Sequence, residues 1–287
     1  MKFAVLGSGS RGNAVAFHSH GATLLVDAGF GPKALAKRAA QAGIPLTPLV
    51  GIVVTHEHGD HARGAATLAA AHGCRLYASA GTLARVRTAE GETQLLPPYG
   101  QAMAIGPFRI TAARTAHDAS ESVAIAIADD ADRKVGIAYD LGRATTAVRH
   151  LLRDCSALVL EANHDEVMLR EGPYPPTVQA RIAGSFGHLS NRAAAELAAE
   201  VCSPRLEVVV LVHVSERCND AGLARRTVGR ALRAQRFQGR LLVAAQDEPL
   251  PAVTLRRAVQ LVLSFREGLP VPSVVPPAPA PIPESSG

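Results

Sequence analysis

Six residues near the start of the chain constrain its fold and chemistry more than any other feature. They read His56-Glu57-His58-Gly59-Asp60-His61 and follow an apolar run of strand length, Val50–Thr55. The alanine-rich stretch Ala62–His72 comes next and is expected to be a helix that ends at Gly73. Imidazoles and a carboxylate at the end of a strand can hold a metal rigidly and leave one side open to substrate. The sequence therefore predicts a metal site at a strand-to-helix junction.

The same placement, a metal-ligand residue type shortly after an apolar strand, recurs later in the chain. The residues concerned are His117 after Ile110–Ala113, Asp140 after Val135–Tyr139, and His213 after Val208–Val212. Any one of them alone would more often be an ordinary loop residue or a satisfied buried polar residue. Their repetition beside the histidine cluster instead predicts a common site. Imidazoles with carboxylates suit divalent transition metals, here Zn²⁺ or Mn²⁺ with iron as a further candidate, and the ligands are too many for one ion.

Apolar and alternating segments predict many short strands early in the chain and strands that alternate with helices later. The expected strands are Lys2–Leu6, Ala14–His18, Ala22–Asp27, Val50–Thr55, Arg75–Ser79, Phe108–Ala113, Val123–Ala128, Lys134–Tyr139, Ala157–Glu161, Leu206–Val212 and Leu241–Ala245. The expected helices are Lys33–Ala42, Ala62–His72, Thr145–Leu152, Asn191–Val201 and a last one from about Asp220 to Arg236. This order predicts an α/β fold in which sheets pack face to face with helices outside.

Composition favours a soluble protein of a reducing compartment. Hydrophobic residues make up 47% of the 287 residues, which permits a sizeable core, and no apolar run reaches the ~18 residues of a membrane span. The start, Met1 to Leu6, is too short for a signal peptide. The four cysteines form no CxxC pair, so neither a disulfide framework nor a thiolate zinc site is expected. We therefore expect a cytoplasmic protein with no membrane partner.

The end of the chain differs from the rest. We expect a catalytic domain over residues 1–250 and an appended segment over 251–268, whose part Val253–Phe265 could form a helix packed on the core. Residues 269–287 are rich in Pro, Ala and Ser without periodicity, which predicts disorder. The net charge of +5 is compatible with a polyanionic partner, although an arginine-rich composition alone would also produce it.

The order of these motifs, HxHxDH followed by a His, an Asp and a His, resembles the metallo-β-lactamase superfamily over roughly residues 1–248. The resemblance implies a four-layer αββα sandwich. It implies one metal ion on His56, His58 and His117, a second on Asp60, His61 and His213, and Asp140 as a bridge. Two such ions would lie about 3.5–4 Å apart and share a metal-bridging hydroxide as the nucleophile.

The last histidine belongs to a segment, Leu211-Val212-His213-Val214-Ser215, that resembles the phosphodiesterase branch of the superfamily. Gly187-His188-Leu189-Ser190 resembles the second catalytic histidine of that branch, which implies that His188 is a proton donor or a phosphate contact. The alternative is that His188 is only a loop residue before a helix capped by Ser190 or Asn191. Asp60 and His188 are the predicted catalytic residues.

A narrower resemblance, to the YycJ (WalJ) group of exonuclease-like proteins, rests on four motifs: Gly7–Asn13, Glu161–Asp165, Gly172–Pro175 and Gly187–Asn191. It implies a 5′–3′ exonuclease with DNA as its nucleic-acid substrate. One departure is Cys218-Asn219, where that group usually has two Asn, so substrate contacts near there are in doubt.

The predicted substrate contacts are Ser8, Asn13, His164, His188 and Ser215. Alternatives stay open for several of these residues. The Gly7–Asn13 segment could be a tight turn between strands instead of a phosphate cradle, and His164 could be a structural polar residue. Asp27 is expected either to orient a metal-bound histidine or to stand in a turn.

Two other functions compete with the exonuclease. The first is a hydrolase of the same fold that cleaves a small molecule instead of DNA, namely a cyclic phosphodiester, a thioester or a lactone. The second is a regulatory protein that uses its metals structurally, against which the complete ligand set argues.

Overall fold

Strands and short helices alternate along the described part of the chain. The computed structural model describes residues 1–86, 88 and 92–256. The strands are β1 (Lys2–Gly7), β2 (Ala14–Ser19), β3 (Ala22–Val26), β4 (Leu49–Val53), β5 (Arg75–Ala78), β6 (Thr93–Leu95), β7 (Ala102–Ile105), β8 (Phe108–Arg114), β9 (Val123–Ala128), β10 (Lys134–Ala138), β11 (Ala157–Glu161), β12 (Val208–Val212), β13 (Arg240–Val243) and β14 (Val253–Thr254). The helices are α1 (Pro32–Ala42), α2 (Gly59–Ala62), α3 (Ala65–His72), α4 (Ala80–Leu83), α5 (Thr146–Leu152), α6 (Glu166–Glu171), α7 (Pro176–Ala183), α8 (Asn191–Glu200) and α9 (Ala221–Ala234).

The strands form two seven-stranded sheets with the same internal pattern. The first has the order β14-β1-β2-β3-β4-β5-β6 and the second the order β7-β8-β9-β10-β11-β12-β13. In each sheet, neighbours are antiparallel up to the fourth strand in this order, β3 or β10, and parallel from there on. The parallel halves carry their helices in the crossover connections, as parallel strands require.

Three hydrophobic clusters hold these layers together. One lies between the sheets and contains Phe3 and Phe17 from the first sheet with Ile125 and Val210 from the second. The other two lie on the outer faces, where α1 and α3 cover the first sheet and α5, α8 and α9 cover the second. Helices on the outside of two packed sheets make the predicted four-layer αββα sandwich, which the structure confirms.

Strand β12 shows the burial expected of an inner parallel strand. Val208, Val210 and Val212 belong to the cluster between the sheets, whereas Val209 and Leu211 belong to the cluster under the outer helices. Both faces of the strand are therefore covered, as its continuous apolar sequence predicts. His213 follows directly, so a well-packed strand fixes its backbone.

The helix expected over Ala62–His72 is divided in two. Gly64 separates α2 from α3 and packs against the backbone of the loop after β3, where a Cβ on Gly64 would lie 2.0 Å from the Phe30 carbonyl oxygen. Its amide donates to the Ala28 carbonyl at 2.7 Å. Helix α3 confirms the expected helix over Ala65–His72 and its end at Gly73, but the helix starts three residues later than expected. This close approach sets the path of the chain there, and α2 is a separate turn that carries Asp60 and His61.

The segment after residue 250 differs from the expected helix where it is described. Val253 and Thr254 form strand β14, which pairs antiparallel with β1, so the helix expected from Val253 does not begin there. Main-chain hydrogen bonding to the edge of β1 takes precedence over the weak helical pattern. The remainder of Val253–Phe265 beyond residue 256, and the tail over 269–287 expected to be disordered, lie outside the described residues.

None of the helices within the described residues is both long and apolar enough to cross a membrane.

Candidate metal centre

The residues predicted to bind metal come together where strands of both sheets end. His56 follows β4, Asp60 and His61 lie in α2, His117 follows β8, Asp140 follows β10 and His213 follows β12. In a parallel sheet the carboxyl ends of neighbouring strands meet at one edge, and the loops there form a crevice. The structure thus brings the predicted ligands into one cluster.

His56, His58 and His117 form the first group that could hold an ion, with ligand atoms within 4.8 Å of one another. The Nε2 atom of His56 lies 3.1 Å from Nδ1 of His58, which lies 3.4 Å from Nε2 of His117. His56 and His117 are buried, and His58 is half-buried. Three imidazole nitrogens around one point suit a divalent transition metal.

Asp60, His61 and His213 form a second such group. One carboxylate oxygen of Asp60, Oδ2, lies 3.3 Å from Nε2 of His61 and 3.8 Å from Nε2 of His213. Asn13 donates from Nδ2 to the same oxygen at 3.1 Å, so the orientation of the Asp60 carboxylate is fixed by a neighbour.

Asp140 lies between the two groups. Its Oδ2 atom is 2.8 Å from Nε2 of His61 and 3.8 Å from Nε2 of His56, and its Oδ1 atom is 3.3 Å from Nδ1 of His213. Asp140 and His213 both adopt the left-handed region, with φ of 54° and 53°. That conformation is costly for residues other than glycine and persists where the surrounding structure imposes it. Asp140 thus lies near residues of both groups, where the resemblance places a bridging carboxylate.

The donor set fits metal ions. In four histidines, Nδ1 faces an oxygen acceptor, which leaves the lone pair of Nε2 directed into the cluster. The pairs are His56 with Thr55 Oγ1, His61 with Asp27, His117 with the Gly187 carbonyl and His213 with Glu161. Within the described residues, the buried atoms Asp140 Oδ2 and His213 Nε2 have no hydrogen-bond partner. A buried carboxylate oxygen and a buried ring nitrogen that lack a hydrogen-bond donor are groups that a cation can satisfy.

Burial and neighbouring charge act in opposite directions on these groups. Burial, with the positive charge of His61, lowers the pKa of His56 well below its usual value, which keeps that ring neutral and able to bind a metal. Burial would raise the pKa of Asp140, but His213 and His61 hold it well below its usual value. The carboxylate of Asp140 is therefore ionised.

Asp27 supports the cluster from behind. It accepts from the Thr55 amide and the Thr55 hydroxyl, both at 2.8 Å, and from the Tyr139 hydroxyl at 2.5 Å. Its Oδ2 atom also lies 2.7 Å from Nδ1 of His61. Of the two expectations for Asp27, the geometry matches a residue that orients a histidine.

Glu161 has a central place that the sequence analysis missed. Its Oε1 atom lies 2.7 Å from Nδ1 of His188 and 3.2 Å from Nδ1 of His213, and its Oε2 atom accepts from the Leu141 and Leu189 amides. Burial would raise the pKa of Glu161, but His188 lowers it to about 2. Glu161 ends an apolar strand, β11, just as the predicted ligands do, and this shared placement is the signal that could have identified it.

His188 reaches the same cluster from the loop before α8. Its Nδ1 atom lies 3.3 Å from Oδ1 of Asp140, and its side chain is 21% exposed. Ser190 caps α8, since its hydroxyl accepts from the Ala193 amide. The cap is therefore Ser190, and His188 is directed into the centre as well as preceding the helix.

A cavity of about 420 Å³ opens beside His188 and His213. Of the residues predicted to contact substrate, Ser8, His188 and Ser215 line it, whereas Asn13 and His164 do not. Asn13 instead holds the Gly7–Asn13 turn, because its Oδ1 atom accepts from the Gly9 amide at 2.9 Å.

His164 and Asn219 are buried. His164 is only 2% exposed, which places it in the core next to the site and not at its surface. Asn219 donates to the main-chain carbonyls of Ala162 and Asn163 and accepts from Asn191, so it joins the loop after β11 to the start of α8. Cys218, the departure from the YycJ motif, is buried and does not line the cavity.

Comparison with known proteins agrees with the geometry. The family model described as "Beta-lactamase superfamily domain" matches residues 22–214. A Bacillus anthracis protein named Exodeoxyribonuclease YycJ is 32% identical over 241 residues, covering 83% of this chain and 91% of that protein. A Streptococcus pneumoniae protein named Exodeoxyribonuclease WalJ is 29% identical over 233 residues, covering 79% and 86%. The metallo-beta-lactamase fold protein YhfI from Bacillus subtilis superimposes with a TM-score of 0.65 at 20% identity, covering 86% and 98%. The chain belongs to the β-lactamase superfamily and is a metal-dependent hydrolase with the metallo-β-lactamase fold.

Proposed function

We propose that the protein hydrolyses phosphodiester bonds of DNA and removes nucleotides from a 5′ end. The observation that carries this proposal is the position of His188, which is hydrogen-bonded to the buried Glu161, lies beside Asp140 and reaches the cavity. Hydrolysis of a phosphodiester breaks a P–O bond and releases an alkoxide that needs a proton, which a histidine at such a position can supply.

Two divalent ions, Zn²⁺ or Mn²⁺ with iron as the third candidate, would be held by the clustered side chains. His56, His58 and His117 would hold one ion, Asp60, His61 and His213 the other, and Asp140 would contact both. Bound there, they would stabilise negative charge on the phosphate oxygens. They would also lower the pKa of a bound water molecule, so that hydroxide is available to attack the phosphorus. Asp60 would be one of these ligands, and a hydrogen bond from Asn13 fixes the orientation of its carboxylate.

The side chains around the ions would direct the remaining steps. Glu161 accepts the Nδ1 proton of His188, so the Nε2 atom of that ring is the one that can give a proton to the leaving oxygen. Glu161 also faces Nδ1 of His213, which couples the position of a ligand to the position of the donor. Substrate phosphate would lie between His188 and the metal ligands.

Three features support nucleic acid as the substrate. The relatives at 29–32% identity are named exodeoxyribonucleases. The net charge is +5. Phe186 is 59% exposed, and the next residue, Gly187, accepts from His117 through its carbonyl. An exposed aromatic ring at the rim of such a site offers a face on which a base can stack.

Digestion of end-labelled DNA and RNA, single- and double-stranded, with Mn²⁺ or Zn²⁺ tests this proposal. We expect stepwise loss of nucleotides from the 5′ end of DNA. An Asp140→Asn variant should lose that activity, whereas Arg230→Ala, an exposed arginine on α9, should retain it. Equal activity in both variants would contradict the assigned site. If no polymer is cut by the metal-loaded protein while bis(p-nitrophenyl) phosphate or a thioester is, the protein is a small-molecule hydrolase.

A further inference from the structure

A second cavity lies at the end of the second sheet that is remote from the metal centre. Glu207 and Val208, at the start of β12, belong to its lining, whereas His213 directly follows the end of the same strand. A strand rises about 3.3 Å per residue, so roughly 15 Å separate the two ends. The volume of this cavity is about 880 Å³, within the range of sites that bind small molecules. It is therefore large enough for a ligand and lies apart from the metal centre.

Three arginines line this cavity. Arg236 follows α9, Arg240 begins β13 and Arg256 follows β14, and all three residues are exposed. The ion pairs that arginines form within the described residues involve other arginines, so no carboxylate there neutralises these three guanidiniums. Guanidiniums around one cavity favour an anionic ligand, and their planar fork matches the oxygens of a phosphate.

Glu207 is the one carboxylate in the lining among the described residues. Its Oε2 atom accepts from the Arg256 amide at 3.3 Å. One negative charge against three positive ones leaves the cavity with an excess of positive charge. A carboxylate beside the arginines is also an acceptor for N–H groups of a ligand. The cavity is therefore suited to a ligand that combines negative charge with hydrogen-bond donors.

The turn between α9 and β13 supplies an aromatic wall on a fixed backbone. Arg236 has a φ of 58°, the left-handed conformation in which a glycine usually follows a helix. The Phe237 amide donates to the Leu232 carbonyl at 3.1 Å, and the Arg240 amide donates to the Glu207 carbonyl at 2.9 Å. Phe237 is half-buried, packs against the cluster under the outer helices and also lines the cavity. Positive charge and an aromatic ring thus lie along one cavity, as binding of a phosphate and a base requires.

We propose that this cavity is a second ligand site, separate from the metal centre, that binds a nucleotide. Arg236 and Arg240 bind the phosphate, the Phe237 ring contacts the base, and Glu207 accepts a hydrogen bond from an N–H group of the base. A free phosphate ion would fill only a small part of the 880 Å³. The lining contains none of the predicted metal ligands, so the site binds the nucleotide without cleaving it.

Isothermal titration calorimetry of the metal-loaded protein with deoxyadenosine monophosphate tests this inference. Arg236→Ala and Arg240→Ala should each weaken binding at this site at least about tenfold, because each removes a charge-assisted contact to the phosphate. Arg230→Ala, an exposed position on α9 outside the lining, should bind the nucleotide as the wild type does. Hydrolysis of bis(p-nitrophenyl) phosphate should be the same in all these proteins. Nucleotide held at the metal centre then contributes equally to every titration, and the arginine variants isolate the second site.

Two further compounds test the nature of the ligand. Deoxyadenosine, which lacks the phosphate, and inorganic phosphate, which lacks the base, should each bind this site at least about tenfold more weakly than the nucleotide. Unchanged nucleotide binding in both arginine variants would overturn the inference, as would equal binding of the nucleotide and of phosphate. Loss of single-stranded DNA binding in Arg240→Ala, with nucleotide binding unchanged, would also overturn it and would identify a surface for the DNA strand instead. Because binding is measured directly, the result does not depend on whether the protein cuts DNA.

Discussion

Asp27 shows how one buried carboxylate can set the orientation of a metal ligand. It faces Nδ1 of His61 and accepts hydrogen bonds from the hydroxyls of Thr55 and Tyr139. Thr55 in turn lies 3.1 Å from Nδ1 of His56, so Asp27 fixes one ring directly and a second ring through a hydroxyl. Carboxylates behind metal-bound histidines commonly have this effect.

Substitution of Asp27 by Asn should weaken metal binding without removing a proposed ligand. The amide keeps the size of the side chain but not the charge that fixes the His61 tautomer, so we expect a loss of affinity of about 10–100-fold. Competition with a chelator measures it. Asp130→Asn, at an exposed position where the side chain pairs with His20, is the matched control. Unchanged affinity in Asp27→Asn would contradict this role.

Glu161 is expected to act on turnover through its neighbours. In Glu161→Gln, the hydrogen bonds from the Leu141 and Leu189 amides can remain, but the charge between His188 and His213 is lost. We predict that kcat falls by about 10–100-fold while KM for DNA changes little, because the substrate-facing surface is intact. A purely structural role would instead lower the melting temperature and leave kcat per folded molecule unaltered.

Phe186 provides a separate test of the polymer substrate. Removal of a base-stacking ring costs about 1–3 kcal/mol, so Phe186→Ala should raise KM for an oligonucleotide at least about fivefold. Phe186→Tyr should restore it because the aromatic face is retained. Hydrolysis of bis(p-nitrophenyl) phosphate, which needs no stacked base, serves as the internal control. An equal loss on both substrates would show that the ring supports the fold of the loop and not the strand.

For individual residues, the sequence predicted which side chains come together better than it predicted what surrounds each of them. The cluster from His56 to His61, together with three strand-exit residues, identified the groups that the structure brings together. The sequence did not identify Glu161 because a buried carboxylate acts only through what it contacts, and those contacts come from the loops after β10 and β12 and the loop before α8. His164 has the right type for a substrate contact, but its burial depends on packing that the sequence does not specify.

At the level of elements, the β9–β10 connection illustrates a turn stabilised by charge. Asp129, 2% exposed, accepts from the amides of Ala131 and Arg133 and from Nε of Arg133. Burial would raise the pKa of Asp129, but its hydrogen bonds with Arg133 lower it below 3.8. The unfolded carboxyl group therefore binds its proton at a higher pH than the folded one.

This connection predicts a pH dependence of stability. Because the folded pKa is lowered, the contribution of Asp129 is complete above the unfolded value of 3.8 and is lost as the pH falls through the folded value. Asp129→Asn should lower the free energy of unfolding at pH 7 by about 1–3 kcal/mol. Chemical denaturation of both proteins at pH 7 and below pH 4 measures it. The difference between them should shrink in acid, and a constant difference would contradict the assignment.

Elements with a clear period or cap were predicted, and short ones were not. Strand β6 has three residues, too few for an alternating pattern to be visible. Helices α6 and α7 lie between the motifs Glu161–Asp165, Gly172–Pro175 and Gly187–Asn191, where no element was predicted. Pro176 at the start of α7 and Gly184 after its end are nevertheless the usual signals of helix boundaries. The division at Gly64 depends on contact with the Phe30 main chain, which no local pattern reveals.

For the whole molecule, the two sheets repeat one arrangement. In each, antiparallel strands come first, and the connection after β3 or β10 leads into the parallel half. Asp27 follows β3 and Asp140 follows β10, and both have positive φ, 59° and 54°. One sheet thus contributes a carboxylate that orients a histidine, and the other contributes the carboxylate at the centre. Apart from the shared Asp at these two positions, the two halves show no visible repeat in sequence.

The arrangement explains why the centre lies between the sheets. His56, His58, Asp60 and His61 come from the first sheet and α2, whereas His117, Asp140 and His213 come from the second. Each of the two groups contains residues from both halves. Any displacement of one half relative to the other would separate the ligands, so the core between the sheets, with Phe3, Phe17 and Ile125, supports the site as well as the fold.

Metal content per chain tests the central claim most directly. Elemental analysis of the purified protein beside His58→Ala and His213→Ala should give two divalent ions for the wild type and about one for each variant, since each substitution removes a ligand from a different group. All three proteins should show the same melting behaviour when metal is chelated. One ion per chain in the wild type, or loss of both ions in either variant with the fold intact, would contradict a centre built from two groups joined by Asp140.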